Sequence, residues 1–251
     1  MKRFLSLSRC AFALALLAVL ATSASAALTG YGIQITATNT QGTGTFTLPL
    51  ADHFLLESSQ TIWSNDVIPQ NLGSVDWLDV TYDGDPLVNL NFAVTAGAST
   101  TAFSFNSAIV SFTPLLNPNG VAVVNGTLTD HNNSSVTITG MFPGSTLYEA
   151  VYNPLTVPIA WADLVGPTTV GATGSFSGRK PPISGTQLIS DTLSSIQSHF
   201  SFTLTALDSA SATSQFNISG GTVVPEPSTV VLLATGLVGL LLVRFRRLKS
   251  R

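Results

Sequence analysis

Residues 75–95 read VDWLDVTYDGDPLVNLNFAVT. Two runs of apolar–polar alternation, residues 75–82 and 87–95, flank Asp83-Gly84. A period of two puts apolar side chains on one face of a strand and polar ones on the other. Asp-Gly between two such runs is the composition of a two-residue hairpin turn. The segment therefore predicts two antiparallel strands with one dry face and one wet face.

The same pattern recurs on both sides of it. Residues 31–38 alternate Ile33, Ile35 and Ala37 against Gln34 and Thr36, and residues 44–50 follow with Phe46 and Leu48. Further strand candidates are residues 103–112, 121–129, 136–142, 147–152, 157–162, 168–176, 200–206 and 214–219. His131-Asn132-Asn133-Ser134 reads as a polar turn joining two of them. Leu188, Leu193, Ile196 and Phe200 fit one helical face, but their Ser-rich surroundings fit a strand equally well. More than ten short strands at close spacing predict an all-β ectodomain, a β-sandwich or jelly-roll. One internal echo is present: FAVTAGAS from Phe92 resembles FTLTALDS from Phe202, each followed by a Phe-Asn pair at Phe105 and Phe216. Two similar hairpins in facing sheets would explain it, and so would biased composition.

Composition supports strands. Ser and Thr make up 51 of the 198 residues from Ala27 to Val224, which suits solvated strand faces and also offers sites for O-glycosylation. Charge is unevenly spread. Between Ala27 and Val224 only Arg179 and Lys180 are basic against twelve acids, a net of 2 − 12 = −10, whereas the whole chain carries −3. A surface this acidic repels phosphate backbones and excludes nucleic acid as a partner. The one cysteine, Cys10, precedes the domain, so the fold must rest on its core without disulfides.

The two ends read as export machinery. Lys2, Arg3 and Arg9, the apolar run from Ala11 to Leu20 and Ala24-Ser25-Ala26 have the layout of a signal peptide over residues 1–26, cleaved after Ala26. An ectodomain over residues 27–219 and a Gly-rich linker over residues 220–224 follow. Next come Pro225, Glu226 and Pro227, then residues 228–243 without a charge, then Arg244, Arg246, Arg247, Lys249 and Arg251. Sixteen residues make about 24 Å of helix, enough for a transmembrane segment when basic side chains snorkel. The basic flank over residues 244–251 places that end in the cytoplasm and the ectodomain outside.

That order of parts over residues 225–251 resembles a PEP-CTERM sorting signal. The resemblance implies exosortase as partner, with Pro225, Glu226 and Pro227 as its recognition element. It also implies transient residence in the inner membrane, then release to the cell envelope or outside, and a matrix role beside exopolysaccharide in biofilm. Two prolines hold the motif extended, the shape a processing cleft can grip.

Catalytic motifs are missing from the ectodomain sequence. Gly174-Ser175-Phe176-Ser177-Gly178 has Phe where a nucleophile elbow needs Ser, and His53, His131 and His199 stand far apart in sequence. The expectation is a non-enzymatic adhesion or polysaccharide-associating domain that needs no cofactor. The alternative is a secreted polysaccharide hydrolase on a jelly-roll, whose carboxylate pair strand topology would have to assemble. Two acidic stretches suggest weak calcium binding: Asp76, Asp79, Asp83 and Asp85, and the alternate oxygen donors Asp130, Asn132 and Ser134. Trp63, Trp77 and Trp161 with Tyr82, Tyr148 and Tyr152 are candidates for a sugar-stacking platform, Trp77 and Asp79 on one strand face.

Overall fold

The computed structural model describes residues 26–50, 58–62, 68–224 and 235–236. Ala24, Trp63, His53, the Pro225–Pro227 motif and the basic flank from Arg244 to Arg251 lie outside the described residues, as does nearly all of 228–243. Among the described residues no helix is long and apolar enough to cross a membrane.

Ser25–Thr222 forms a compact unit of its own. The strands, in chain order, begin with β1 (Ala27–Asn39), β2 (Gly42–Pro49), β3 (Ser58–Ile62), β4 (Gly73–Asp83) and β5 (Leu87–Ala96). Then come β6 (Thr101–Leu116), β7 (Asn119–Thr129), β8 (Val136–Gly140), β9 (Tyr148–Tyr152), β10 (Ile159–Leu164) and β11 (Thr168–Val170). The series ends with β12 (Thr173–Lys180), β13 (Gln187–Leu188), β14 (Thr192–Leu204), β15 (Ser209–Ser219) and β16 (Thr222–Val223). They build two antiparallel sheets. Sheet A runs β10-β9-β14-β6-β1-β2 with β8, β11 and β16 off this path; sheet B runs β12-β7-β15-β5-β4-β3 with β13 beside β7. Alternating side chains from both inner faces meet in one core, so the protein is an all-β sandwich.

The founding hairpin is present as β4 and β5, but its turn differs from the expectation. Asp83 pairs with Leu87, which leaves a three-residue loop, Gly84 to Pro86, and not a two-residue one. Pro86 has no N–H to give to the ladder, and the Asp85 N–H turns back to Asp83 Oδ1 at 3.0 Å. Residues 168–176, expected as one strand, are two. β11 pairs with β8 in sheet A and β12 with β7 in sheet B. The chain crosses between sheets at Gly171-Ala172, where the bare Gly174 accepts the Val170 side chain; a Cβ there would lie 2.2 Å from Val170 Cγ1. The 131–134 turn likewise joins different sheets, from β7 in B to β8 in A. The undecided segment around Leu193, Ile196 and Phe200 is strand, the long central β14.

The echo between Phe92 and Phe202 has a structural counterpart, but not as two hairpins. β5 to β6 crosses from sheet B to A, and β14 to β15 crosses from A to B. β5 neighbours β15 and β6 neighbours β14, so exchanging the sheets swaps the two crossovers in the pairing scheme. The connecting loops clasp each other: the Ala96 N–H donates to the Asp208 carbonyl and the Leu207 N–H to the Gly97 carbonyl, both at 2.9 Å. Beneath them Phe92 stacks on Phe105 at 4.1 Å and on Phe202 at 5.9 Å, with Phe200 edge-on at 4.9 Å. These rings fill the gap between sheets and tie both crossovers together.

Candidate functional site

Sheet order turns isolated residues into rows. On the outer face of sheet B, register places Trp77, Ala93, Ser211, Thr127 and Ser175 side by side across five strands. The next row is Asp79, Asn91, Thr213, Asn125 and Ser177. A slip in the β4 ladder between Val75 and Trp77 turns Asp76 and Trp77 to the outside together, and Trp77 and Asp79 share that face as expected. The indole borders a shallow, open depression of about 530 Å³ lined by hydroxyls and the Asn125 amide from β7, β12 and β15, with Gly126, Phe176 and Ala212 between them. The other described aromatics of the expected platform are in the core: Tyr82 and Tyr148 are fully buried, and Tyr152 and Trp161 nearly so. Inward alternation on β4, β9 and β10 put them there. Trp161 stacks on Phe216 at 5.6 Å and carries the Lys180 ammonium over its ring at 4.9 Å.

Beside the indole a hydrogen-bond chain has a fixed direction. Asp76 accepts from Ser74 Oγ at 2.6 Å and from Thr95 Oγ1 at 3.0 Å. A carboxylate only accepts, so the Thr95 proton is committed to Asp76 and Ser209 Oγ must donate to Thr95 at 2.8 Å. Ser209 Oγ then accepts from His131 Nε2 at 2.9 Å, which assigns His131 the Nε2–H tautomer. The four acids of residues 76–85 do not share a loop. Asp76, Asp79 and Asp83 are spread along β4, and Asp79 receives Asn91 Nδ2 at 3.2 Å.

The Asp130 loop is closed on itself. Asp130 Oδ1 accepts the N–H of Asn132 at 2.9 Å and of Ser134 at 3.4 Å, and Oδ2 accepts the N–H of Ser135 at 2.9 Å. Asn132 Oδ1 accepts the Ser134 N–H at 2.9 Å, and Asn132 Nδ2 reaches the Ala206 carbonyl at 2.7 Å. Partial desolvation pushes the Asp130 carboxyl up, but backbone N–H groups from Asn132, Ser135, Ser134 and Asn133 outweigh it and hold it below the usual range. The N–H groups of Asn132, Ser134 and Ser135 take three of the carboxylate's roughly four lone-pair sites. No cluster of three or more His, Cys, Asp or Glu side chains suited to a metal occurs among the described residues.

Sheet A gathers a constellation that sequence spacing does not reveal. Asp163 on β10 pairs with Glu149 on β9, and Glu149 pairs with His199 on β14. His199 Nδ1 lies 3.6 Å from Glu149 Oε2. Burial, and then the neighbouring Glu149 charge, raise the Asp163 carboxyl above its usual value against a smaller opposing effect of Lys180. The row sets a carboxyl of raised pKa beside a second carboxylate and an imidazole. Outward alternation on β9, β10 and β14 is the signal for these residues, but their adjacency depends on pairings between strands distant in sequence.

The C-terminal tail is decided by comparison. The PEP-CTERM protein-sorting motif matches residues 223–247, which include Pro225, Glu226, Pro227, Arg244, Arg246 and Arg247. The chain carries a PEP-CTERM sorting motif. This marks it as an exosortase-targeted protein, exported to the envelope or beyond. The PEP-CTERM match leaves the sandwich itself uncovered, and no curated protein matches the chain. Among solved structures, that of broad bean stain virus aligns at 11% identity over 81% of this chain and 92% of the viral one, with a TM-score of 0.22.

Proposed function

We propose that the sandwich is a non-catalytic module which, once sorted through its PEP-CTERM tail, associates with extracellular polysaccharide in adhesion or biofilm matrix. The observation that carries this reading is the outer face of sheet B. One indole, Trp77, stands beside rows of Ser, Thr and Asn side chains over an open depression. An aromatic face takes the C–H side of a sugar ring while fixed hydroxyls and amides take its OH groups. On β4, Asp76 and Asp79 add negative charge beside the indole, which suits neutral or cationic glycans. Binding of the ectodomain to purified exopolysaccharide, compared with Trp77→Ala and with Thr213→Ala plus Asn125→Ala, tests it. All of these residues point outward, so fold is preserved; equal binding by wild type and both variants would refute the reading.

A second reading rests on Asp163 and Glu149. A carboxylate with a raised pKa beside another carboxylate is the pairing glycoside hydrolysis uses. Release of reducing ends from polysaccharide, abolished in Glu149→Gln and in Asp163→Asn, would favour the hydrolase over the binding module.

A further inference from the structure

Five of the large apolar side chains exposed on the sandwich crowd one end of it. Val157 is 67% exposed, Ile183 77%, Leu155 57%, Leu188 55% and Leu116 43%. Strand register locates them. Leu116 pairs with Thr192 and Leu188 with Asn119. Residues 153–158 follow Tyr152, which pairs with Ile196; residues 181–186 follow Lys180, which pairs with Ala122. All of these positions lie at the ends of β6, β9 and β12 and the starts of β7 and β14. The two most exposed loops spring from a single contact, because Lys180 Nζ donates to the Trp161 carbonyl across β12 and β10.

The same end receives and releases the chain. Gly221 passes so close to the β6–β7 turn that a Cβ there would sit 3.1 Å from the Leu116 carbonyl oxygen. Ala26 lies against the β4–β5 turn, 3.3 Å from where a Gly84 Cβ would be. Only five residues separate Thr222 from Ser228, the start of the uncharged run 228–243. They reach about 20 Å at full extension. Loops 153–158 and 181–188 contain no charged residue, and the two cations of the ectodomain, Arg179 and Lys180, stand at their root. Arg179 Nη2 holds the Gly185 carbonyl at 2.9 Å and so braces the loop that presents Ile183. Among the described acids at this end, Asp191 caps the Thr192 N–H at 2.7 Å, and Asp83 and Asp85 sit at the β4–β5 turn, two to three strands from β7.

We propose that this end is a membrane-docking surface: until the tail is cut, loops 153–158 and 181–188 rest in the headgroup layer of an anionic bilayer. The inference rests on reading 228–243 as the membrane segment. Apolar loops tethered within about 20 Å of a bilayer gain hydrophobic burial there, and the two cations at their root offset the repulsion between an acidic domain and anionic headgroups. Docking would hold the Pro225–Pro227 motif at the membrane surface, where a membrane enzyme can reach it.

The test uses the full chain from a host without exosortase, reconstituted in phosphatidylglycerol–phosphatidylcholine vesicles containing doxyl-labelled lipid. Single thiols are placed by Val157→Cys, Ile183→Cys or Thr43→Cys in a Cys10→Ser background and carry an environment-sensitive dye. Thr43 is exposed on β2 at the opposite end. Doxyl lipid should remove most fluorescence at 157 and 183 and little at 43, and Val157→Ser should weaken the effect at 183. Protein that floats with vesicles while 157 and 183 stay unquenched overturns the docking surface and leaves the tail reading intact. Protein that does not float overturns both. Shielding of the loops only when exosortase is added reassigns the surface to that enzyme and overturns the lipid proposal.

Discussion

The hydroxyl of Tyr82, on sheet B, accepts the backbone N–H of Ala108, on sheet A, at 2.8 Å. Ala108 is skipped in both ladders of β6: β1 goes from Ile109 to Ser107, and β14 from Val110 to Asn106. Its N–H therefore has no strand partner and is met from the facing sheet. Tyr82 completes the bond by donating to the Gly32 carbonyl at 2.5 Å, inside the irregular stretch of β1. Nearby Ser107 Oγ accepts the Ser198 N–H at 3.0 Å and the Ser107 carbonyl accepts Gln197 Nε2 at 2.8 Å. Where bulges open the backbone of sheet A, side chains close it. Burial pushes the Tyr82 phenol well above its ordinary value, so it remains a neutral donor.

Tyr82→Phe removes one oxygen and strands two buried backbone groups. The expected cost is about 1–3 kcal/mol, larger than the loss of a typical exposed hydrogen bond. Denaturant melts of the two proteins measure it. A change below about 0.5 kcal/mol would mean that another group takes over the Ala108 N–H.

For Asp130 the sign follows from its lowered pKa. The carboxylate's contribution is complete above the ordinary aspartate value of about 3.9 and is lost as pH falls through the lower folded value. Asp130→Asn should melt lower than wild type at pH 7, and the gap should close toward pH 2. A gap independent of pH would refute the N–H cradle as its cause. Weak calcium binding at Asp130, Asn132 and Ser134 predicts that millimolar calcium raises the melting temperature and that Asp130→Ala removes most of the gain; no shift between chelator and calcium would leave the loop a plain turn.

Asp163 has the opposite sign. Its pKa is raised, so its charged form costs stability above the folded value, and that cost vanishes below the unfolded one. Asp163→Asn should stabilise at pH 7 by roughly 0.5 kcal/mol or less, because the site is open to solvent and salt screens it. The gain should be absent at pH 3. Destabilisation at neutral pH would show that the carboxylate holds a structural partner.

Glu226→Ala, or Pro225→Ala with Pro227→Ala, is expected to leave full-length protein in the inner membrane. Wild type should be recovered outside, lighter by its C-terminal segment. Fractionation with an antibody to the sandwich, in hosts with and without exosortase, measures both. Equal release of wild type and variants would reduce the tail to a plain anchor.

Strand character in the alternating runs and the sorting tail are local properties legible in the residues; the segment around Leu193, Ile196 and Phe200, open to helix or strand by pattern, is strand because β14 pairs on both sides. Period-two alternation in 77–82 and 87–95 records which side chains go inward, while the slip that turns Asp76 and Trp77 out together belongs to the ladder. Pro225-Glu226-Pro227 before an uncharged run and a basic cluster needs no partner to be read. Neighbours are another matter. That 168–176 splits between sheets, that Phe92 and Phe202 belong to interlocked crossovers, and that Asp163, Glu149 and His199 form a row all depend on pairing between distant strands. The exposed loops holding Val157 and Ile183 lie at the same end of the sandwich for the same reason. Alternation says which face a residue takes; only closure of the two sheets over one core decides what stands beside it.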